Sequence, residues 1–339
     1  MDRHSFIINF RNLLIFIVCL LVFDNACYKI GYPFFDKMNH LGKIKEDTSI
    51  AIIGSSNVLW DLDIEQINRI TGLKVNMFSI AGGTMEFRYY LLKDFLKLHE
   101  KNPPTLIVLH TDRFAFNRRR YGDESYKSLQ GYYHSGVLKE YLDKKWDNSF
   151  DSKLKKLSKA YSLNSEAYFI LSKMMDKIPI SLAYQIVLQS SLFADEIEKS
   201  LIHKKETGSI SSKKKEWLEH YGDPEEFFDY DESFQKHYEM CIALMKENPH
   251  ITFILLDTPM IHLFEDKYFE PIRNIYKASE SKNIKYIYIK NDRFSMDESI
   301  YFDASHLNII GRSIYTDEFI KNLKQINLLQ VEGDSKNKQ

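Results

Sequence analysis

Thr-Ser-Ile-Ala-Ile-Ile-Gly-Ser-Ser-Asn-Val-Leu-Trp-Asp-Leu, residues 48–62, is the stretch on which the reading of this chain turns. Ile50, Ala51, Ile52 and Ile53 form a short apolar run rich in β-branched residues. That composition suits a strand buried on both faces of a parallel sheet. Gly54 breaks the run, Ser55, Ser56 and Asn57 follow, and an amphipathic stretch starts at once with Val58, Leu59, Leu62, Ile64, Ile67 and Ile70. A strand, a Gly-Ser-Ser turn and a helix put a small hydroxyl at the carboxyl end of a strand, where open α/β sheets hold their sites. The N–H groups of a helix start point to the same place and favour a developing negative charge. A serine in such a turn also serves as a plain N-cap, so a catalytic role needs partners elsewhere in the chain.

Downstream, the pattern repeats. Residues 73–78 read as a second strand, 85–98 as an amphipathic helix with Phe87, Leu91, Leu92, Phe95 and Leu96 near one face, and 106–109 as a third strand after Pro103-Pro104. This βαβαβ order implies a parallel sheet. The sheet resumes at 251–256, followed by the polar turn Asp257-Thr258-Pro259. A helix over 269–281 and an outer strand over 284–289 come next. Tyr301-Phe-Asp-Ala-Ser-His-Leu-Asn308 then leads through Gly311 into a last amphipathic helix from about residue 313 to 323. Asp303 and His306 lie three apart in that polar stretch. A carboxylate so placed orients an imidazole, and the imidazole takes a proton from a serine. His262 is a second candidate base, without a carboxylate at a convincing spacing.

These blocks resemble the SGNH/GDSL family of serine hydrolases, over roughly residues 46–118 and 250–325. Gly54-Ser55-Ser56 stands where that family has Gly-Asp-Ser, so Ser56 aligns with the nucleophile, and Asp303 and His306 align with the other triad members. Phe78-Ser-Ile-Ala-Gly-Gly-Thr84 is similar to the segment that gives an oxyanion donor. The resemblance assigns that role to the N–H of Gly82, with Gly83 as the near alternative, beside the N–H of Ser56 itself. Two departures stand out. Ser55 replaces the usual Asp, and Asp112 or Arg113 falls where the family carries an Asn after its third strand. Asn117 is four residues beyond. The resemblance makes Asn57, Arg113 and Asn117 candidate substrate contacts. The implied fold is α/β: a three-layer α/β/α parallel sheet, SGNH/flavodoxin-like, with a large helical insertion and an N-terminal membrane-anchor helix. The Gly-Ser-Ser block and Asp-x-x-His-Leu look most like membrane-anchored cell-envelope members of the D-alanyl-transfer and alginate O-acetylation type.

The rest of the chain divides by composition. Residues 1–27 carry an apolar core at 13–23, with Arg3 and Arg11 before it and Asp24 after it. This reads as an uncleaved signal anchor with a cytoplasmic N-terminus, and secondarily as a cleaved signal peptide. Residues 28–47 are a connector, 48–113 and 250–327 the α/β domain, and 114–249 a mainly helical insertion that caps the sheet edge. Residues 328–339 are a polar tail, expected to be disordered. Arg118-Arg119-Arg120 is a basic cluster near the expected site edge, suited to a solvated turn, an anionic polymer or head groups. Asp229 and Asp231 lack the His or Cys spacing of a metal site, so no metal or cofactor is expected. Cys19, Cys27 and Cys241 form no disulfide framework. Lys and Arg total 46 against 47 Asp and Glu, which leaves no global charge argument for nucleic acid.

The expected function is extracytoplasmic acyl chemistry: an esterase or O-acyltransferase acting on acyl esters of a cell-envelope glycan or polymer through an acyl-Ser56 intermediate. The expected partners are the membrane, the acylated polymer and a membrane-bound acyl-transfer protein. The alternative is a catalytically inactive envelope protein of the same fold that binds glycan or scaffolds a membrane complex.

Overall fold

The computed structural model describes residues 14–29, 32, 41–80, 82–111, 127–146, 149–163, 232–259, 269–289, 293–294, 297–301 and 306–328. In chain order the regular elements are α1 (14–29), β1 (Ile50–Ser55), α2 (Ser56–Asp61), α3 (Ile64–Thr71), β2 (Val75–Ile80), α4 (Met85–Leu98) and β3 (Leu106–His110). Then come α5 (Lys139–Lys145), α6 (Phe150–Leu157), α7 (Lys159–Ser162), α8 (Glu232–Glu247), β4 (Thr252–Asp257), α9 (Glu270–Ala278), β5 (Ile284–Tyr288) and α10 (Ile309–Gln325). The chain forms two compact units, one from Met1–Asn39 with Tyr126–Lys199, the other from His40–Ser125 with Ser200–Gln339.

The second unit is built on a five-stranded parallel sheet in the order β2-β1-β3-β4-β5. β1 is an interior strand, between β2 and β3, and all six of its residues are buried, as its continuous apolar run requires. Its register is closed on both sides: Ile50 faces Val75 of β2 and Leu106 of β3, and Ile53 faces Phe78 and Leu109. Ile50, Ile52, Val75, Met77, Leu106, Val108, Ile254 and Leu256 share one core with Val58, Leu62 and Ile67 of the α2–α3 segment. Tyr315, Phe319, Ile320 and Leu323 of α10 complete that core. α4 packs across β1 and against α8. The architecture is therefore a three-layer α/β fold.

The single amphipathic helix expected after Gly54 is two helices. Asp63 breaks it: its Oδ1 accepts from Gln66 N at 2.9 Å and caps α3, an arrangement that competes with helix continuation. α3 ends on Gly72, whose φ of +69° is the left-handed conformation that glycine supplies at helix C-termini. β1 continues through Gly54 to Ser55, two residues past the apolar run. α10 starts at Ile309, earlier than its apolar pattern suggests, because the Asn308 side chain accepts from Ile310 N and Gly311 N. α8 was expected in the insertion; it belongs to the sheet unit, with Tyr238, Cys241 and Met245 buried. Part of the expected connector is also core, since Leu41 and Ile44 are fully buried.

In the first unit, Asp24 of α1 accepts from Ser158 Oγ at 2.5 Å and from the N–H of Lys159 at 2.9 Å. Tyr28 meets His134 edge-on, and Tyr32 meets Tyr132. Nine large apolar side chains between Leu14 and Phe23 are 42–68% exposed. Among the described residues, no helix is long and apolar enough to cross a membrane. The membrane-anchor helix expected from the sequence is therefore not supported: α1 is described over residues 14–29 only, and a span takes ~20 apolar residues. Residues 164–231, with Asp229 and Asp231, lie outside the described residues, as do Arg118–Arg120, His262 and most of the polar tail. Cys19, Cys27 and Cys241 are free thiols.

Candidate active site

The carboxyl end of β1 carries the site. Ser55 closes the strand with extended backbone and Ser56 opens α2. His306 precedes α10, directly before Leu307, which bridges to Tyr301, and Asn308, which caps the helix. These two remote segments meet: Ser56 Oγ lies 3.0 Å from His306 Nε2, and both residues are half-buried. The imidazole is within reach of the serine proton, and the pair remains accessible.

The histidine's backbone is held separately. Asp61, at the far end of α2 and fully buried, accepts from the N–H of Leu307 through Oδ1 at 2.9 Å. α2 therefore grips the histidine segment twice, by Ser56 on the side chain and by Asp61 on the next peptide. Arg312 Nε donates to Leu62 O at 3.1 Å, and the side chains of Gln66 and Asp317 bond at 2.7 Å, extending the seam between α2–α3 and α10.

On the other side of the nucleophile, Gly83 N–H donates to Ile80 O at 3.2 Å and closes a turn with Gly82 at φ +69°. A turn of this kind takes glycine at its third position because of that positive φ. The N–H of Gly83 is thus engaged in the turn, which leaves Gly82 as the loop's candidate oxyanion donor. Thr84 caps α4 by accepting from Phe87 N.

Beneath the serine lies a buried polar chain. Ser55 Oγ is 3.2 Å from His110 Nδ1, and His110 Nε2 is 3.0 Å from Thr258 Oγ1, linking the carboxyl ends of β1, β3 and β4. Ser55 Oγ also donates to Asn57 Oδ1 at 3.4 Å. Asn57 is 1% exposed; a substrate contact was expected of it, but its side chain is turned inward to Ser55. The Ser55 that departs from the Gly-Asp-Ser pattern is thus the start of an internal hydrogen-bond chain.

Among the expected site residues, Ser56 and His306 come together, and Gly82 and Gly83 sit in one turn that approaches the backbone of Gly54. Asp303, Arg113 and Asn117 lie outside the described residues. Sequence reasoning passed over Asp61, Arg88 and His110. Asp61 stands inside the opening stretch, but nothing local marks an aspartate that pairs 246 residues away. His110 was visible as a polar residue at the end of an apolar strand, the one signal available.

No family model matches the chain, and no curated protein does. Among solved structures it is similar to the lipase Lip_vut3 from a goat rumen metagenome, at 12% identity and a TM-score of 0.37, covering 81% of this chain and 97% of that one.

Proposed function

We propose that this protein is a serine-dependent ester hydrolase or O-acyltransferase with Ser56 as nucleophile and His306 as general base. The observation that carries the reading is the 3.0 Å approach of Ser56 Oγ to His306 Nε2 at the carboxyl end of β1. The Ser56 hydroxyl donates to Nε2, and the imidazole accepts the proton as Oγ attacks an ester carbonyl. The N–H groups of Ser56 and Gly82 receive the oxyanion; one such donor is typically worth ~3 kcal/mol of transition-state stabilisation. His306 returns the proton to the leaving alcohol, which leaves acyl-Ser56. A second hydroxyl, from water or a sugar, is deprotonated by His306 and releases the acyl group. Asp303, three residues before His306, is the proposed orienting carboxylate.

The substrate is proposed to be an acyl ester of a cell-envelope glycan or polymer, on the resemblance of the Gly-Ser-Ser and Asp-x-x-His-Leu blocks to envelope members of the SGNH/GDSL family.

Labelling with a fluorophosphonate probe tests the chemistry. The wild type is expected to label, while Ser56→Ala and His306→Ala, each folded by circular dichroism, lose labelling and at least ~10³-fold of p-nitrophenyl acetate hydrolysis. A folded wild type that neither labels nor hydrolyses would overturn the reading.

A further inference from the structure

The turn that carries Ser56 is confined on both sides by close backbone approaches. A Cβ on Gly54 would lie 2.8 Å from His110 Cβ, and a Cβ on Gly83 would lie 3.1 Å from Gly54 O. Gly83 follows β2 and His110 ends β3, the two strands that flank β1. One side chain joins these flanks. Arg88, in the first turn of α4 and fully buried, donates from Nη1 to His110 O at 2.8 Å and from Nη2 to Gly83 O at 2.9 Å.

We propose that Arg88 is the positioning residue of the oxyanion loop: its guanidinium fixes the Gly83 carbonyl against the end of β3 and thereby holds the N–H of Gly82 toward Ser56. The inference rests on the serine reading above. Burying a guanidinium costs free energy unless its donors are satisfied. Here Nη1 and Nη2 each meet a backbone carbonyl at a charge-assisted distance, while Nε makes no hydrogen bond among the described residues. A planar fork holds two acceptors in one fixed geometry, which a lysine ammonium cannot reproduce. Gly83 is then held at both ends, its N–H by Ile80 O and its C=O by Arg88. With Thr84 also committed to capping α4, Gly82 has little freedom left. A donor so preorganised costs no reorganisation in the transition state.

The test uses Arg88→Lys and Arg88→Gln in the full chain, with p-nitrophenyl acetate and the thionoester in which sulfur replaces the carbonyl oxygen. Oxyanion donors act on the carbonyl atom, so losing their alignment penalises the oxygen ester more than the sulfur one. Both variants are expected to lose about 10²-fold in kcat for the oxygen ester, with KM within about threefold of wild type. The oxygen-to-sulfur rate ratio is expected to fall about tenfold. A loss of folded protein lowers both rates alike and leaves the ratio at its wild-type value, so the ratio reads position even where a variant is destabilised. An unchanged ratio, with or without a lower rate, overturns the Arg88 inference and leaves the serine reading standing. A folded wild type that hydrolyses neither ester and takes no fluorophosphonate overturns both.

Discussion

Ser56 and His306 are 250 residues apart in the chain, and the positions that bring them into contact are set by neighbours with no slack. Gly54 is the clearest case. A Cβ there would stand 2.3 Å from Val58 Cγ2 as well as 2.8 Å from His110 Cβ. Gly54→Ala is expected to destabilise the fold by about 1–3 kcal/mol, the usual range for overpacking, and to slow fluorophosphonate labelling. A urea midpoint shift with an unchanged slope checks the first, and a labelling time course the second. Cys241 shows the effect of the same dense interior on a titrating group. Burial pushes its thiol from 9.0 up to about 12, against the opposing pull of the Arg88 guanidinium. Its folded pKa is raised, so between about 9 and 12 the folded chain holds a proton that the unfolded chain releases. Stability is therefore expected to fall as pH rises through that window. Cys241→Ala should flatten the decline, measured as urea midpoints between pH 8 and 11. The native thiol should also resist iodoacetamide at pH 8, since the thiolate is the reactive form.

At the scale of elements, the short helix α2 matters more than its length suggests. It presents Ser56 at one end and Asp61 at the other, and both reach the segment that carries His306. Removing a buried acceptor leaves the Leu307 N–H unsatisfied, at a cost of about 1–3 kcal/mol. Asp61→Ala is accordingly expected to lower stability by that amount and kcat by at least tenfold, because the histidine loses its backbone hold. Asp61→Asn keeps an acceptor oxygen and should retain most of both. Thermal melts and p-nitrophenyl acetate kinetics on the pair separate these outcomes, and equal losses in the two variants would point away from the hydrogen bond. The sequence legibly placed strand, turn and helix here because apolar period and glycine punctuation are local signals. It did not reveal the break at Asp63, because a capping aspartate and an exposed helical aspartate look alike until the side chain is seen accepting from Gln66 N.

Across the whole molecule, the last helix closes what the first strand begins. Tyr315, Phe319, Ile320 and Leu323 of α10 are 0–3% exposed and sit in the core beneath β1. Burying one large apolar side chain is worth about 1.5–3 kcal/mol, so four of them match the net stability of an ordinary domain. A chain ending at Asn308 is expected to lose its cooperative urea transition, read by circular dichroism, although β1 to β5 would all be present. The sequence by itself determined the strands, the parallel class and the polar residues at the two chain segments that meet, since each follows from composition and period within a few residues. Only the tertiary structure decided the order β2-β1-β3-β4-β5, the packing of α8 against α4 in the sheet unit and the engagement of the Gly83 N–H in its turn. It alone also showed the buried partners of Arg88, His110 and Asp61. The physical reason is that each of these depends on where a buried donor or acceptor finds its partner across the sheet. Burial makes that pairing obligatory, but no local pattern records with whom it is made.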